Sequence, residues 1–98
     1  MKEYVSLNTF MDRFNAIRPD NFSYEGLKAL YEYLEQYEED VGEEIEFDVI
    51  ALCCDYTEYE DLKEFQSEYG NKYESIDDIM EHTAVIMIDD ESFIIGVF

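Results

Sequence analysis

Residues 47–70 read FDVIALCCDYTEYEDLKEFQSEYG and contain the strongest sequence signals for the fold class. Its first part, residues 47–54, is a nearly continuous apolar run that is rich in β-forming side chains and too short for a core helix. We therefore predict a buried strand there. Thr57 then stands as the N-cap of a helix that ends at Tyr69, before Gly70. A buried strand followed at once by an amphipathic helix indicates an α+β domain.

Two helices are predicted before this stretch. The first has apolar residues at helical spacing over residues 7–17, with Asn8 as its candidate N-cap and Arg18–Pro19 as its end. The second begins after Ser23 and ends at Gly42. Its apolar stripe consists of Leu27, Leu30, Tyr31, Leu34, Tyr37 and Val41.

The chain after residue 70 predicts a short helix and a hairpin. Ser75 opens the helix, which runs to about Glu81. Residues 84–98 read AVIMI, DDES and FIIGVF, two apolar runs around a turn, which is typical of a β-hairpin. Because no linker interrupts the sequence, we predict a single α+β domain over residues 1–98, in the order ααβααββ. Its sheet has about three antiparallel strands covered by helices.

The charge of the chain is strongly negative and unevenly distributed. It has 26 acidic and 6 basic residues among 98, for a net charge of -20. The first 31 residues hold four of each sign, so the whole excess falls on residues 32–91. Since nucleic acids and anionic membranes repel such a surface, the charge argues against direct contact with either, and we expect basic protein partners.

Targeting and cysteine usage favour a cytoplasmic protein. The amino end lacks the apolar run of a signal peptide, and no stretch approaches the roughly 18–20 apolar residues of a membrane helix. The adjacent Cys53 and Cys54 fit neither a disulfide framework nor a CxxC zinc or redox pattern. Within the predicted strand they are interpreted as thiols packed in the core.

No catalytic constellation stands out. His82 is the only histidine, it has no nucleophile motif near it, and it is interpreted as a surface residue. At this density of carboxylates, close acidic pairs arise by chance and do not indicate a glycosidase. The acidic runs at residues 38–46 and 89–92 do not follow the EF-hand calcium pattern. We therefore predict no catalytic residue, no metal site and no cofactor.

The spacing of the acids opposes folding. Glutamates recur every three or four residues on the second helix and every fourth residue on the third: Glu32, Glu35 and Glu39, then Glu60, Glu64 and Glu68. Each like-charge pair at such spacing costs about 0.2–0.5 kcal/mol. The acids at 38–40 also crowd a helix end where the dipole is already negative. Solubility needs a net charge of magnitude only about 2–8, so the excess indicates a binding surface.

Charge spacing and tyrosine content also fit an interface. Duplex DNA has one charge per about 1.7 Å of its axis, so about 20 charges correspond to about 34 Å, or some ten base pairs. Tyr31 and Tyr37 are predicted to pack inward. Tyr33, Tyr56 and Tyr73 lie among acids, where their rings can anchor an interface.

Residues 47–70, together with RPDNFSYEGLKALYEYLE at residues 18–35, resemble small acidic proteins of phages and mobile elements that counter host defence. These include antirestriction and anti-CRISPR proteins that imitate DNA. The resemblance covers roughly half of the chain. It implies that acidic faces at residues 32–46 and 55–68 occupy the basic nucleic-acid-binding groove of a protein such as a CRISPR effector subunit or a restriction enzyme. The bacterial cytoplasm is the compartment that this role implies.

The residues predicted to contact the partner all lie on these two faces. They are Glu32, Glu35, Glu38, Glu39, Asp40, Glu43, Glu44, Glu46, Asp55, Tyr56, Glu58, Glu60, Asp61, Glu64 and Glu68. The alternative function is an acidic interaction protein, of the antitoxin or chaperone type, that shields another basic protein.

Overall fold

A computed structural model describes residues 5–98, which form five helices and three strands. Their order is α1 (Leu7–Ile17), α2 (Tyr24–Val41), α3 (Val49–Asp55), β1 (Tyr56–Tyr59), α4 (Leu62–Tyr69), α5 (Ile76–Met80), β2 (Val85–Met87) and β3 (Phe93–Gly96). The α+β class and the antiparallel three-stranded sheet are confirmed. The predicted order is confirmed as well, and the structure adds one short helix, α3, before β1.

The sheet has the order β1-β3-β2, and its central strand β3 is antiparallel to both neighbours. Ile94 of β3 lies opposite Glu58 of β1 and Ile86 of β2. Because successive side chains of a strand point to opposite faces, Ile94 lies on one face of the sheet, and Phe93 and Ile95 lie on the other. All three side chains are fully buried, so β3 is covered on both faces.

Two apolar cores lie on the two sides of this sheet. The first joins Ile86 and Ile94 to α1, α2 and α3, and its largest side chains include Phe10, Phe14 and Leu30. The second contains residues of α4 and α5 and of the opposite face of the sheet. Its buried members are Tyr59, Phe65, Tyr73, Ile79, Phe93 and Ile95. The sheet is therefore the middle of three layers, and both cores share β3.

The prediction of a strand at residues 47–54 is wrong. Most of this run belongs to α3, which is capped by Asp48 through a hydrogen bond from Ala51 N–H to Oδ1 at 3.1 Å. The buried side chains of this helix, Val49 and Leu52, lie three residues apart. A short apolar run does not distinguish strand from buried helix by its period, and the capping aspartate favours the helix. The strand, β1, begins directly after α3.

Several predicted helix ends are confirmed. Ser23 Oγ accepts a hydrogen bond from Gly26 N–H at 2.9 Å at the start of α2, and Ser75 caps α5. At the C-terminal ends of α2 and α4, Gly42 and Gly70 have φ angles of 72° and 100°. Glycine adopts these angles without the strain that a Cβ would cause, so each marks the end of its helix.

Two predicted caps are wrong. Ser6, and not Asn8, caps α1 by accepting a hydrogen bond from Thr9 N–H at 3.2 Å. Asp61, and not Thr57, caps α4, because Thr57 belongs to β1 and pairs with β3. The helix predicted from residue 57 is therefore shorter, and its first part is strand.

Helix α2 is longer than the core that it covers. Its buried residues end at Leu34, although the helix continues to Val41. Tyr37 and Val41, which belong to the predicted apolar stripe, are 48% and 49% exposed. The prediction that Tyr37 packs inward is therefore wrong, because the end of α2 extends beyond the first core.

Candidate partner-binding surface

The second half of α2 and the segment that follows it form an acidic surface, residues 32–46, which we call the α2 surface. Its acidic side chains are Glu32, Glu35, Glu38, Glu39, Asp40, Glu43, Glu44 and Glu46. Glu35 and Glu38 are half-buried and the others are exposed. Gly42, with its left-handed backbone, directs the chain away from the helix axis, so that acids from the helix and the following segment come together.

Five glutamates of this surface line one open depression of about 370 Å³ beside Gly42: Glu35, Glu38, Glu39, Glu43 and Glu44. The C-terminal end of a helix exposes carbonyl oxygens and the negative end of the helix dipole. The backbone of α2 therefore adds to the negative potential of its side chains. A basic side chain of a partner would relieve this concentration of like charge.

Glu38 positions the segment that carries the later acids. Its Oε2 accepts a hydrogen bond from Ile45 N–H at 2.6 Å, which ties the chain after Gly42 back to α2. Partial burial alone would raise the pKa of Glu38. Hydrogen bonds to its carboxylate, the one from Ile45 among them, nevertheless hold that pKa below its ordinary value. Glu38 is therefore ionised at neutral pH and has a structural role.

Most other acids of the α2 surface have no such role. Asp40 Oδ1 accepts a hydrogen bond from Gln36 Nε2 at 3.0 Å. Within residues 5–98, no hydrogen bond or ion pair involves the carboxylates of Glu32, Glu35, Glu39, Glu43, Glu44 and Glu46. These carboxylates remain available to a partner.

The second predicted face, residues 55–68, which we call the α4 surface, is arranged differently. Asp61 Oδ1 accepts a hydrogen bond from Glu64 N–H at 2.9 Å, and Glu64 Oε1 accepts one from Glu60 N–H at 3.1 Å. These bonds satisfy backbone donors at the start of α4. Glu60 precedes the helix, so the predicted helical series through Glu60, Glu64 and Glu68 is wrong at its first member.

Glu68, the last acid of this surface, accepts a hydrogen bond from the buried phenol of Tyr59. The distance from Tyr59 Oη to Glu68 Oε2 is 2.5 Å. Burial and this carboxylate both raise the pKa of Tyr59, so the phenol stays protonated and donates. The bond connects α4 to β1 and stabilises the packing of the second core.

Glu58 lies on the other face of the sheet, beside the start of α2. Its Oε1 accepts hydrogen bonds from Ser23 N–H at 3.0 Å and from Ser23 Oγ–H at 3.1 Å. A Cβ at Gly26 would lie 1.8 Å from this oxygen, so a larger residue at position 26 would displace the Glu58 carboxylate from Ser23. Glu58 also compensates the positive end of the α2 dipole. The structure thus separates Glu58 from Asp61, and Asp55 ends α3 with its side chain exposed.

The tyrosines are placed differently from what the sequence predicts. Tyr56 is half-buried against Tyr33, with ring centroids 6.3 Å apart, and burial raises the pKa of Tyr56. Tyr73 is buried beside Phe65 in the second core, so the prediction that it anchors an interface is wrong. Sequence reasoning missed Tyr24, which is 67% exposed. Its position directly after the Ser23 cap, before the apolar stripe of α2 begins, was the available signal.

The cysteines and the histidine lie outside the acidic surfaces. Cys53 is half-buried and burial raises the pKa of its thiol, whereas Cys54 is exposed, so the predicted core packing is wrong for Cys54. His82 is exposed after α5 and its ring lies 5.6 Å from Tyr73 and 5.8 Å from Phe98. Residues 5–98 contain no group of three His, Cys, Asp or Glu side chains arranged to hold a metal ion.

Two further observations concern membrane spans and similarity to known proteins. No helix in the described part of the chain is long and apolar enough to cross a membrane. No protein-family model matches the chain, and no curated protein or solved structure is significantly similar to it. The support for a function therefore comes from the two acidic surfaces and their contacts.

Proposed function

We propose that this protein is a non-enzymatic inhibitor that imitates DNA and uses its α2 surface to occupy the basic nucleic-acid-binding groove of a bacterial defence protein. The observation that carries the proposal is the cluster of carboxylates around Gly42, in which Glu35, Glu39, Glu43 and Glu44 accept no hydrogen bond within residues 5–98. Neighbouring like charges on a helix destabilise it. A basic partner would offset that cost, because complementary charges attract the two proteins and orient their encounter.

The dimensions and charge of the molecule support the proposal. The protein measures 41 × 29 × 22 Å and has a net charge of -20. A duplex as long as its longest axis carries about 24 phosphate charges, at one per about 1.7 Å. The protein therefore approaches the linear charge density of DNA. A groove that binds duplex through backbone charge would meet a similar field.

The target class follows from the sequence resemblance. A CRISPR effector subunit or a restriction enzyme would encounter the protein in the bacterial cytoplasm. Effectors of the Cas9 type hold nucleic acid in positively charged channels and contact its backbone. Occupying such a channel requires charge and shape, and it needs no catalytic group or cofactor.

A competition measurement tests the proposal. The tagged protein is used to capture partners from a bacterial lysate, and each captured protein is purified and bound to a labelled duplex of about 20 base pairs. We expect the apparent Kd for DNA to rise in proportion to the concentration of the acidic protein, and the inhibition to weaken with salt. A partner that binds DNA and the acidic protein simultaneously would contradict mimicry. A partner with no nucleic-acid-binding activity would support the antitoxin or chaperone-type alternative.

A matched pair of variants tests the role of the α2 surface. The first neutralises four of its acids: Glu35→Gln, Glu39→Gln, Glu43→Gln and Glu44→Gln. The control neutralises four exposed acids outside both surfaces: Glu74→Gln, Asp77→Asn, Glu81→Gln and Asp90→Asn. Both have the same net charge. We expect the first to lose about tenfold or more in affinity, equivalent to about 1.4 kcal/mol, and the control to lose much less. Equal losses would show that only net charge matters.

A further inference from the structure

A cleft of about 570 Å³ lies at the opposite end of α2, between α1, the loop before α2 and the start of α4. Met11, Phe22 and Leu27 contribute apolar surface to it and are 4–7% exposed. Exposed Asp20 and Glu60 also line the cleft. The residues of the described chain that form the cleft include no lysine or arginine. The cleft therefore combines an apolar floor with a negative rim.

Two further carboxylates in the cleft have an oxygen that remains free. Glu58 uses Oε1 for both hydrogen bonds to Ser23, and Glu64 uses Oε1 for the backbone of Glu60. Within residues 5–98, neither Oε2 accepts a hydrogen bond. Glu58 is half-buried as a residue and lies between the start of α2 and α4 in the lining of the cleft. A charged donor that enters the cleft would form a strong hydrogen bond there.

An arginine side chain fits this combination better than a lysine. Its guanidinium is planar and has five N–H donors that pair with carboxylates in a fork, whereas a lysine ammonium is a point charge. The exposed ring of Tyr24 also lines the cleft and offers a face on which a guanidinium can stack. The aliphatic part of arginine would cover Met11 and Leu27. Arginine is also a major contact residue of DNA-binding proteins.

We propose that this cleft binds an arginine side chain of the basic partner and is a second contact site in addition to the α2 surface. Helix α2 has 18 residues, so its two ends are about 27 Å apart. A groove that holds duplex DNA is long enough to reach both ends. The identity of the partner rests on the proposed function, but the chemistry of the cleft can be tested without that partner.

Short peptides serve as the probe. The ¹⁵N-labelled protein is titrated with acetyl-Gly-Arg-Gly-amide and, separately, with acetyl-Gly-Lys-Gly-amide, and backbone amide shifts are recorded by NMR. We expect saturable shifts at residues 20–27 and 58–64, with binding about threefold or more weaker for the lysine peptide. The variant Asp20→Asn with Glu60→Gln should lose about threefold or more in affinity for the arginine peptide. Both side chains are exposed, so the variant should fold, which thermal melts will verify.

The control variant, Asp77→Asn with Glu81→Gln, removes the same charge outside the cleft and outside both acidic surfaces, and it should bind the arginine peptide as the native protein does. Shifts spread equally over the α2 surface, equal binding of the lysine peptide, or equal losses in both variants would overturn the arginine site. The experiments distinguish a failure of the arginine site from a failure of the proposed DNA mimicry. DNA displacement without peptide binding in the cleft overturns the arginine site alone. Peptide binding in the cleft without DNA displacement supports the arginine site and contradicts DNA mimicry.

Discussion

Most acidic side chains of the α4 surface have donors within the protein, whereas most of those on the α2 surface have none in the described chain. Asp61 and Glu64 accept backbone N–H groups, and Glu68 accepts the phenol of Tyr59. Glu39 and Glu43, in contrast, accept no hydrogen bond within residues 5–98. The density of acids is high on both surfaces, but hydrogen bonds within the fold are concentrated on the α4 surface, and Glu38 is the exception on the α2 surface.

Except for Glu68, whose donor is the side chain of Tyr59, the position of the acids along each helix explains this difference. The first turn of a helix presents unpaired N–H donors, and the last turn presents unpaired carbonyl acceptors. Asp61 and Glu64 lie at the start of α4, where they satisfy donors and favour the helix dipole. Six of the eight acids of the α2 surface, from Glu38 onward, lie in the last turn of α2 or beyond its end, where the backbone offers mainly acceptors. An acid near the C-terminal end of a helix, where the backbone offers no free N–H donor, is therefore the better candidate for partner binding.

Variants at the two ends of α2 should give the largest difference in stability between an acid with hydrogen-bond donors and an acid without them. Glu58 accepts hydrogen bonds at the start of α2, and Glu39 lies unpaired near its end. We expect Glu58→Ala to lower the free energy of unfolding by about 2 kcal/mol, because charge-assisted hydrogen bonds contribute about 1.5–3 kcal/mol and this one is partly exposed. Glu39→Ala should leave stability unchanged or slightly higher. Urea unfolding measures both variants. Equal effects would contradict the role of Glu58 as a stabilising acceptor at the start of α2.

The cap of α4 provides a second, smaller test. Asp61→Ala removes the acceptor for Glu64 N–H and should cost about 1 kcal/mol. Asp61→Asn keeps an equally good cap and removes the charge, so it should retain nearly all of the stability. If Asp61→Asn destabilised the protein as much as Asp61→Ala, the charge itself would be responsible and the capping role would be wrong.

Much of the fold could be predicted from local patterns. The apolar spacing of α1 and α2, the caps at Ser23 and Ser75 and the turn-forming residues of the terminal hairpin are all short-range signals. The prediction for residues 47–54 was wrong because an apolar run of eight residues fits a strand and a buried helix equally well. The order of the strands in the sheet could not be predicted either, because the central strand, β3, is the last in the sequence and is not between its neighbours along the chain.

The candidate site could be predicted only as a distribution of charge. The hydrogen bond from Ser23 to Glu58 joins residues 35 positions apart, and the bond from Tyr59 to Glu68 depends on the packing of α4 against β1. Neither contact has a local sequence signature. The sequence could therefore show which segments are acidic, but it could not show which carboxylates have donors within the fold.

Two glutamine pairs should change stability in opposite directions. Glu35→Gln with Glu39→Gln relieves like-charge pairs on α2, each costing about 0.2–0.5 kcal/mol, so stability should rise by about 0.5 kcal/mol. Glu64→Gln with Glu68→Gln replaces charge-assisted hydrogen bonds by neutral ones and should lower stability by about the same amount. Urea unfolding at low salt measures both pairs. A gain in both would mean that repulsion dominates on the α4 surface as well.

Glu38 is the exception on the α2 surface, and its titration gives the smallest effect. Its pKa is lowered in the folded protein, so its contribution to stability is present above the unfolded pKa of about 4.3 and is lost as the pH falls through the folded pKa. Glu38→Gln keeps an acceptor for Ile45 N–H but does not titrate. The decrease in overall repulsion on acidification is nearly the same in both proteins. Between pH 7 and about pH 3.5, the native protein should therefore lose slightly more stability than Glu38→Gln. Equal curves for the native protein and Glu38→Gln would contradict the structural role of Glu38.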